Sequence, residues 1–158
     1  DLKHLHLFEN EISDISSLTN LKKLESLSLS NNRIQNLEPL KELTCLKNLS
    51  LSNNQIRSLL ELRKLINLSY LSLYNNKIKS ISGIEHLSEL TYLSLSNNQI
   101  NDISILCGLN KLEMLFLESN KITNIEPLRY LRNLNTLEIK SNKILDFSVL
   151  DGFSCLIG

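Results

Sequence analysis

Apolar and polar positions alternate along this chain in a frame that repeats every 22 residues without insertion or deletion. Each copy opens on two apolar residues separated by one position, continues to an Asn, and resumes with Ile two residues later. The copies are Leu5, Leu7, Asn10, Ile12; Leu27, Leu29, Asn32, Ile34; and Leu49, Leu51, Asn54, Ile56. They continue as Leu71, Leu73, Asn76, Ile78; Leu93, Leu95, Asn98, Ile100; Leu115, Leu117, Asn120, Ile122; and Leu137, Ile139, Asn142, Ile144. The Leu-x-Leu step has the period of two expected of a half-buried strand. Beyond the Asn the apolar period becomes three, as at Ile15, Leu18, Leu21 and Leu24. That period suits tight turns or 3₁₀ helix, where residues three apart eclipse one another, and suits a long α-helix poorly. Pro39 and Pro127 fall in the same segment, where a missing amide donor is tolerable.

One such unit has two apolar flanks and cannot cover either by itself, so the units must stack. The frame therefore predicts an α/β solenoid. It should form a right-handed curved superhelix with a parallel β-sheet on its concave face and 3₁₀ or turn segments on its convex face. The whole chain, 1–158, reads as a single domain of seven repeats: 2–23, 24–45, 46–67, 68–89, 90–111, 112–133 and 134–155, plus the start of an eighth. Strands are expected to centre on the seven apolar pairs named above, from Leu5–Leu7 to Leu137–Ile139. The sharp turn after each strand strips backbone groups of their ladder partners, and those groups must be satisfied once buried. An Asn side chain offers both a donor and an acceptor. Asn10, Asn32, Asn54, Asn76, Asn98, Asn120 and Asn142 are thus expected to form a structural ladder joining successive turns. Asn75, beside one of them, occupies a variable position (Ser119 and Ser141 replace it) and is expected to be exposed.

Composition changes this picture little. Basic and acidic residues balance at 17 each, which gives no electrostatic footprint for nucleic acid or an anionic membrane. No apolar run approaches the roughly 20 residues of a membrane span. No nucleophile elbow, phosphate loop or zinc spacing appears, so no catalytic residue, metal site or cofactor is expected. His4 and His6 share one strand face, with Glu9 and Glu11 close in sequence, but no motif fixes a third ligand. His86 has no nucleophile partner, and Ser28, Ser50, Ser72 and Ser94 form a column read as a flat polar surface. Cys45 and Cys155 are five repeats apart, about 24 Å at roughly 4.8 Å per strand, and Cys107 is two repeats from Cys155. Both separations exceed the reach of a disulfide, so all three should be free thiols. Asn48-Leu-Ser50 and Asn67-Leu-Ser69 match the glycosylation triplet, a weak signal in a chain this rich in Asn and Ser.

The outward strand positions carry the one asymmetry in the repeat. Early copies present small polar residues: Ser26, Ser28, Ser30, Asn48, Ser50 and Ser52. From the fourth copy the same columns carry Tyr70, Tyr74, Tyr92, Met114 and Phe116, bordered by Glu118 and Lys140. Tyr and Phe are good strand formers, but Met is not, and an exposed Phe has no structural need on an open face. Clustered exposed apolar residues with a polar surround mark binding surfaces. Tyr70, Tyr74, Tyr92, Met114, Phe116 and Glu118 are therefore the candidate partner-binding residues.

The frame Leu-x-x-Leu-x-Leu-x-x-Asn-x-Ile-x-x-Ile-x-x-Leu-x-x-Leu resembles the 22-residue class of leucine-rich repeats over residues 2–155. Within it, the stretches Asn10-Glu-Ile-Ser-Asp-Ile-Ser-Ser-Leu18 and Asn98-Gln-Ile-Asn-Asp-Ile103 look like bacterial internalins. The class also contains regulatory subunits of type 1 protein phosphatase. The resemblance implies a protein-binding module that uses its concave sheet, rather than an enzyme. Its alternative is an intracellular regulatory or scaffolding subunit of a phosphatase-type complex. The compartment stays open between the cytoplasm and a bacterial secreted or cell-surface location. Leu2 opens the first copy and Leu156-Ile157 closes the last without a polar cap, so end-to-end self-association is expected of the chain.

Overall fold

The computed structural model describes residues 1–153. Seven three-residue strands form one parallel sheet in sequence order: β1 His4–His6, β2 Ser26–Ser28, β3 Asn48–Ser50, β4 Tyr70–Ser72, β5 Tyr92–Ser94, β6 Met114–Phe116 and β7 Thr136–Glu138. Register follows the 22-residue frame, so Leu27, Leu49, Leu71, Leu93 and Leu115 stand beside one another. Each strand lies one residue earlier than the apolar pair suggests. The second leucine still donates to the next strand (Leu29 N–H to the Ser50 carbonyl at 2.8 Å), but the chain then turns away. The turn passes through Asn31, Asn53, Asn75 and Asn97, all with φ between 53° and 57°. Asn tolerates this left-handed conformation better than other non-glycine residues.

The returns are 3₁₀ segments at Ser16–Asn20, Glu38–Leu40, Leu60–Lys64, Ser104–Gly108, Glu126–Tyr130 and Ser148–Gly152. A carboxylate or amide oxygen two residues ahead starts most of them, as where Asp14 Oδ1 accepts from Ser16 N–H at 2.8 Å and Asn36 Oδ1 from Glu38 N–H at 2.9 Å. Such Asx turns hold the backbone in the tight conformation a 3₁₀ segment continues. The fourth return keeps the apolar period but not the expected 3₁₀ conformation. It makes consecutive turns instead, with Gly83 at φ 110° and its N–H donated to Glu85 Oε2 at 2.5 Å.

Between sheet and returns runs one continuous core of Leu and Ile, most of them fully shielded from solvent. It thins at either end: Leu5, Leu7 and Ile12, and again Leu137, Ile139 and Ile144, are only partly covered. Among the described residues no helix is long and apolar enough to cross a membrane.

Candidate functional site

The turn asparagines do buried structural chemistry. Asn76 Oδ1 accepts from Ile56 N–H of the preceding repeat at 3.0 Å. Its amide nitrogen donates to the Leu51 carbonyl at 3.0 Å and to the Leu73 carbonyl at 3.1 Å. Asn32, Asn54, Asn98, Asn120 and Asn142 repeat the pattern, each bonding one repeat to the next. Asn10 is exposed and reaches only its own turn, through the carbonyls of Leu7 and Phe8. A second row runs outside the first: Asn75 Nδ2 donates to Asn53 Oδ1 at 2.8 Å, and Asn53 Nδ2 to Asn31 Oδ1 at 2.7 Å. The signal for it was present in the Asn-Asn doublets.

The serine columns are not the flat exposed surface that alternation suggests. Ser72, Ser94 and Ser96 are buried. Serine hydroxyls in these columns knit strands diagonally, with Ser52 and Ser72 Oγ 2.7 Å apart and Ser30 and Ser50 Oγ 2.8 Å apart. Ser96 Oγ accepts from Glu118 N–H at 3.0 Å. These small residues allow neighbouring side chains to close over them.

The side chains that close over this part of the sheet are aromatic. Tyr70 and Tyr92, in register on β4 and β5, stack with ring centroids 4.3 Å apart and an interplanar angle of 13°. Tyr92 also meets Phe116 at 5.3 Å and 41°. Met114 stands in register with Tyr92 on β6. All four are half-buried rather than fully exposed, because each ring shields the next. Burial pushes the Tyr92 hydroxyl above its ordinary pKa, with Tyr70 and the Glu138 carboxylate adding to the effect. Tyr74 does not join: it is exposed and makes no ring pair among the described residues. Glu118 borders the group with its Oε1 2.6 Å from Lys140 Nζ, an ion pair that raises the Lys140 pKa. The sheet face thus offers a continuous aromatic platform over three strands, flanked by serines on one side and carboxylates on the other.

Among the described residues no comparable constellation gathers chemically reactive side chains. Among the described residues no three His, Cys, Asp or Glu side chains gather as metal ligands. His4, His6 and His86 are exposed, and Cys45 and Cys107 are exposed free thiols. Cys155 and the Leu156-Ile157 end lie outside the described residues. Other exposed apolar side chains are dispersed, with Leu2 and Phe8 on the first repeat, Leu60 and Ile66 on the third, and Leu145 and Phe147 on the last.

Comparison with known proteins places this architecture. The family described as leucine-rich repeats in two copies matches six overlapping stretches: 1–42, 22–64, 44–86, 66–110, 88–130 and 110–152. None of the curated proteins matches the chain. Among solved structures, an internalin of Listeria monocytogenes is 36% identical with a TM-score of 0.95, over 98% of this chain and 46% of its own. Internalin C2 of the same organism is 40% identical with a TM-score of 0.96, over 99% of this chain and 70% of its own. The leucine-rich-repeat ectodomain of a plant membrane receptor kinase from Arabidopsis thaliana is 25% identical with a TM-score of 0.83, over 97% of this chain and 20% of its own. The chain therefore spans less than half of the first of these proteins, while matching the repeat region it does cover along its whole length. With its unbroken 22-residue register, its ordered parallel sheet and these likenesses, the chain is an internalin-like member of the leucine-rich-repeat family.

Proposed function

We propose that this protein-interaction module holds its partner on the open sheet face of β4 to β6, through Tyr70, Tyr92, Met114 and Phe116, and that it performs no catalysis. The carrying observation is the aromatic platform of Tyr70, Tyr92 and Phe116, continuous across three strands and half-exposed. Rigid rings already stacked on a sheet lose little conformational freedom on binding, and Tyr is enriched at energetic hot spots. Tyr74 and Glu118 form the rim, Tyr74 as an exposed ring and Glu118 as an anchored charge. The plant ectodomain was solved in complex with Casparian strip integrity factor 2, and a solenoid of the same kind here would likewise hold a partner on its repeats.

The double variant Tyr92→Ala with Phe116→Ala tests the face. Neither side chain reaches the leucine core, so the thermal midpoint should change little. Capture of partner by the immobilised chain should fall at least about tenfold, the loss of a single hot spot of about 1.4 kcal/mol or more. A control pair on the third return, Leu60→Ser with Ile66→Ser, should leave capture intact. Loss in the control with retention in the double variant would assign the interaction to the returns instead.

A further inference from the structure

The aromatic platform ends at β7, and what stands there constrains the partner. Glu138 is in register with Phe116, one strand away. It is exposed and forms no ion pair among the described residues. The nearby ammonium, Lys140 Nζ, is engaged 2.6 Å from Glu118. Two carboxylates, Glu118 and Glu138, therefore stand beside one ammonium at this end of the sheet. At the other end of the sheet the column that closes on Glu138 opens on the exposed His6, and just before the strands Lys3 and Lys47 share Glu25, at 2.6 and 2.7 Å. Between the two ends the column is serine, with no charge to compete.

A partner that covers the Tyr92–Phe116 rings also takes water away from Glu138, which is about 4.8 Å along the sheet. An apolar or acidic contact there would leave a desolvated carboxylate without compensation, which is strongly unfavourable. A cation removes that penalty and is attracted by the faces of the rings as well. We propose that the partner is a polypeptide presenting a basic side chain, arginine or lysine, that lies over the Phe116 and Tyr92 rings with its charged head against Glu138. This rests on the docking reading above and adds the chemistry that docks.

A random-peptide phage library selected on the full chain tests both levels separately. Bound peptides should be enriched in Arg or Lys, and should be lost on the Tyr92→Ala, Phe116→Ala variant. Selection on Glu138→Gln should remove the basic enrichment. A synthetic copy of the strongest peptide with its arginine replaced by neutral citrulline (or its lysine by acetyl-lysine) should bind at least about tenfold more weakly. Peptides that need the rings but show no basic enrichment, or that bind unchanged after neutralisation, would overturn the cation proposal and leave the docking face standing. An empty selection, or peptides indifferent to the ring variant, would overturn both.

Discussion

Asn76 and Asn75 are the same residue one position apart, yet the structure gives them different work. Asn76 is buried and closes bonds to Ile56 N–H and to the Leu51 and Leu73 carbonyls, groups that no water can reach. Asn75 is exposed, its side chain bonds only to Asn53, and it holds a left-handed turn at φ 53°. Each buried backbone group left unpaired costs about 1–3 kcal/mol, so Asn76→Ala should lower the denaturation free energy by several times that of Asn75→Ala. Urea melts of the two variants decide it, and equal midpoints would mean that the buried row carries no special load. The buried row was legible because a single polar residue type, recurring every 22 positions inside an apolar frame, must satisfy the backbone that the frame buries. The serines were not. Alternation assigns Ser72 and Ser94 to the outward face but says nothing of how closely the neighbouring tyrosines and Phe116 pack over them.

At the scale of the element, the strand and return alternation follows from the change of period, but one return escapes it. Six returns become 3₁₀ segments, whereas the fourth makes separate turns around Gly83. The apolar pattern there is intact (Ile78, Ile81, Ile84, Leu87), so hydropathy alone could not reveal the difference. The cause is the backbone. A Cβ on Gly83 would lie 2.3 Å from the Leu59 carbonyl oxygen, and its φ of 110° is one that L side chains rarely adopt. Gly83→Ala should therefore destabilise by about 2 kcal/mol or more, from clash and strain together. Gly108→Ala is the control, since its Cβ would meet nothing closer than the Glu85 carbonyl oxygen at 3.8 Å. Matching midpoints for the two variants would show that the fourth return can rebuild itself as a 3₁₀ segment like its neighbours.

Across the whole molecule, each strand touches only the strands before and after it, so strain and stabilisation travel along one dimension. That geometry also gives the candidate docking surface a firm footing. A platform of rings needs a foundation that does not move, and the leucines beneath β4 to β6 are fully buried while those beneath β1 and β7 are not. The columns carrying Tyr70, Tyr92, Met114 and Phe116 were readable from the repeat. The stacking of Tyr70 on Tyr92, the tilt of Phe116 toward Tyr92 and the separation of Tyr74 were not, because register fixes columns but not rotamers. Leu71, on β4 directly under this surface, tests the one-dimensional picture. Truncating a fully buried leucine to alanine costs about 2–5 kcal/mol, whereas Leu5 on β1, already half-exposed, should cost less. In native-state hydrogen exchange, Leu71→Ala should accelerate the amides of β3, β4 and β5 most, with the effect fading toward β1 and β7. Tyr92 sits on one of the strands loosened, so the same variant should weaken partner capture without altering any residue of the docking face. An acceleration spread evenly over all seven strands would instead describe a globally cooperative domain, in which the stability of the platform is set by the whole sheet and not by its neighbours.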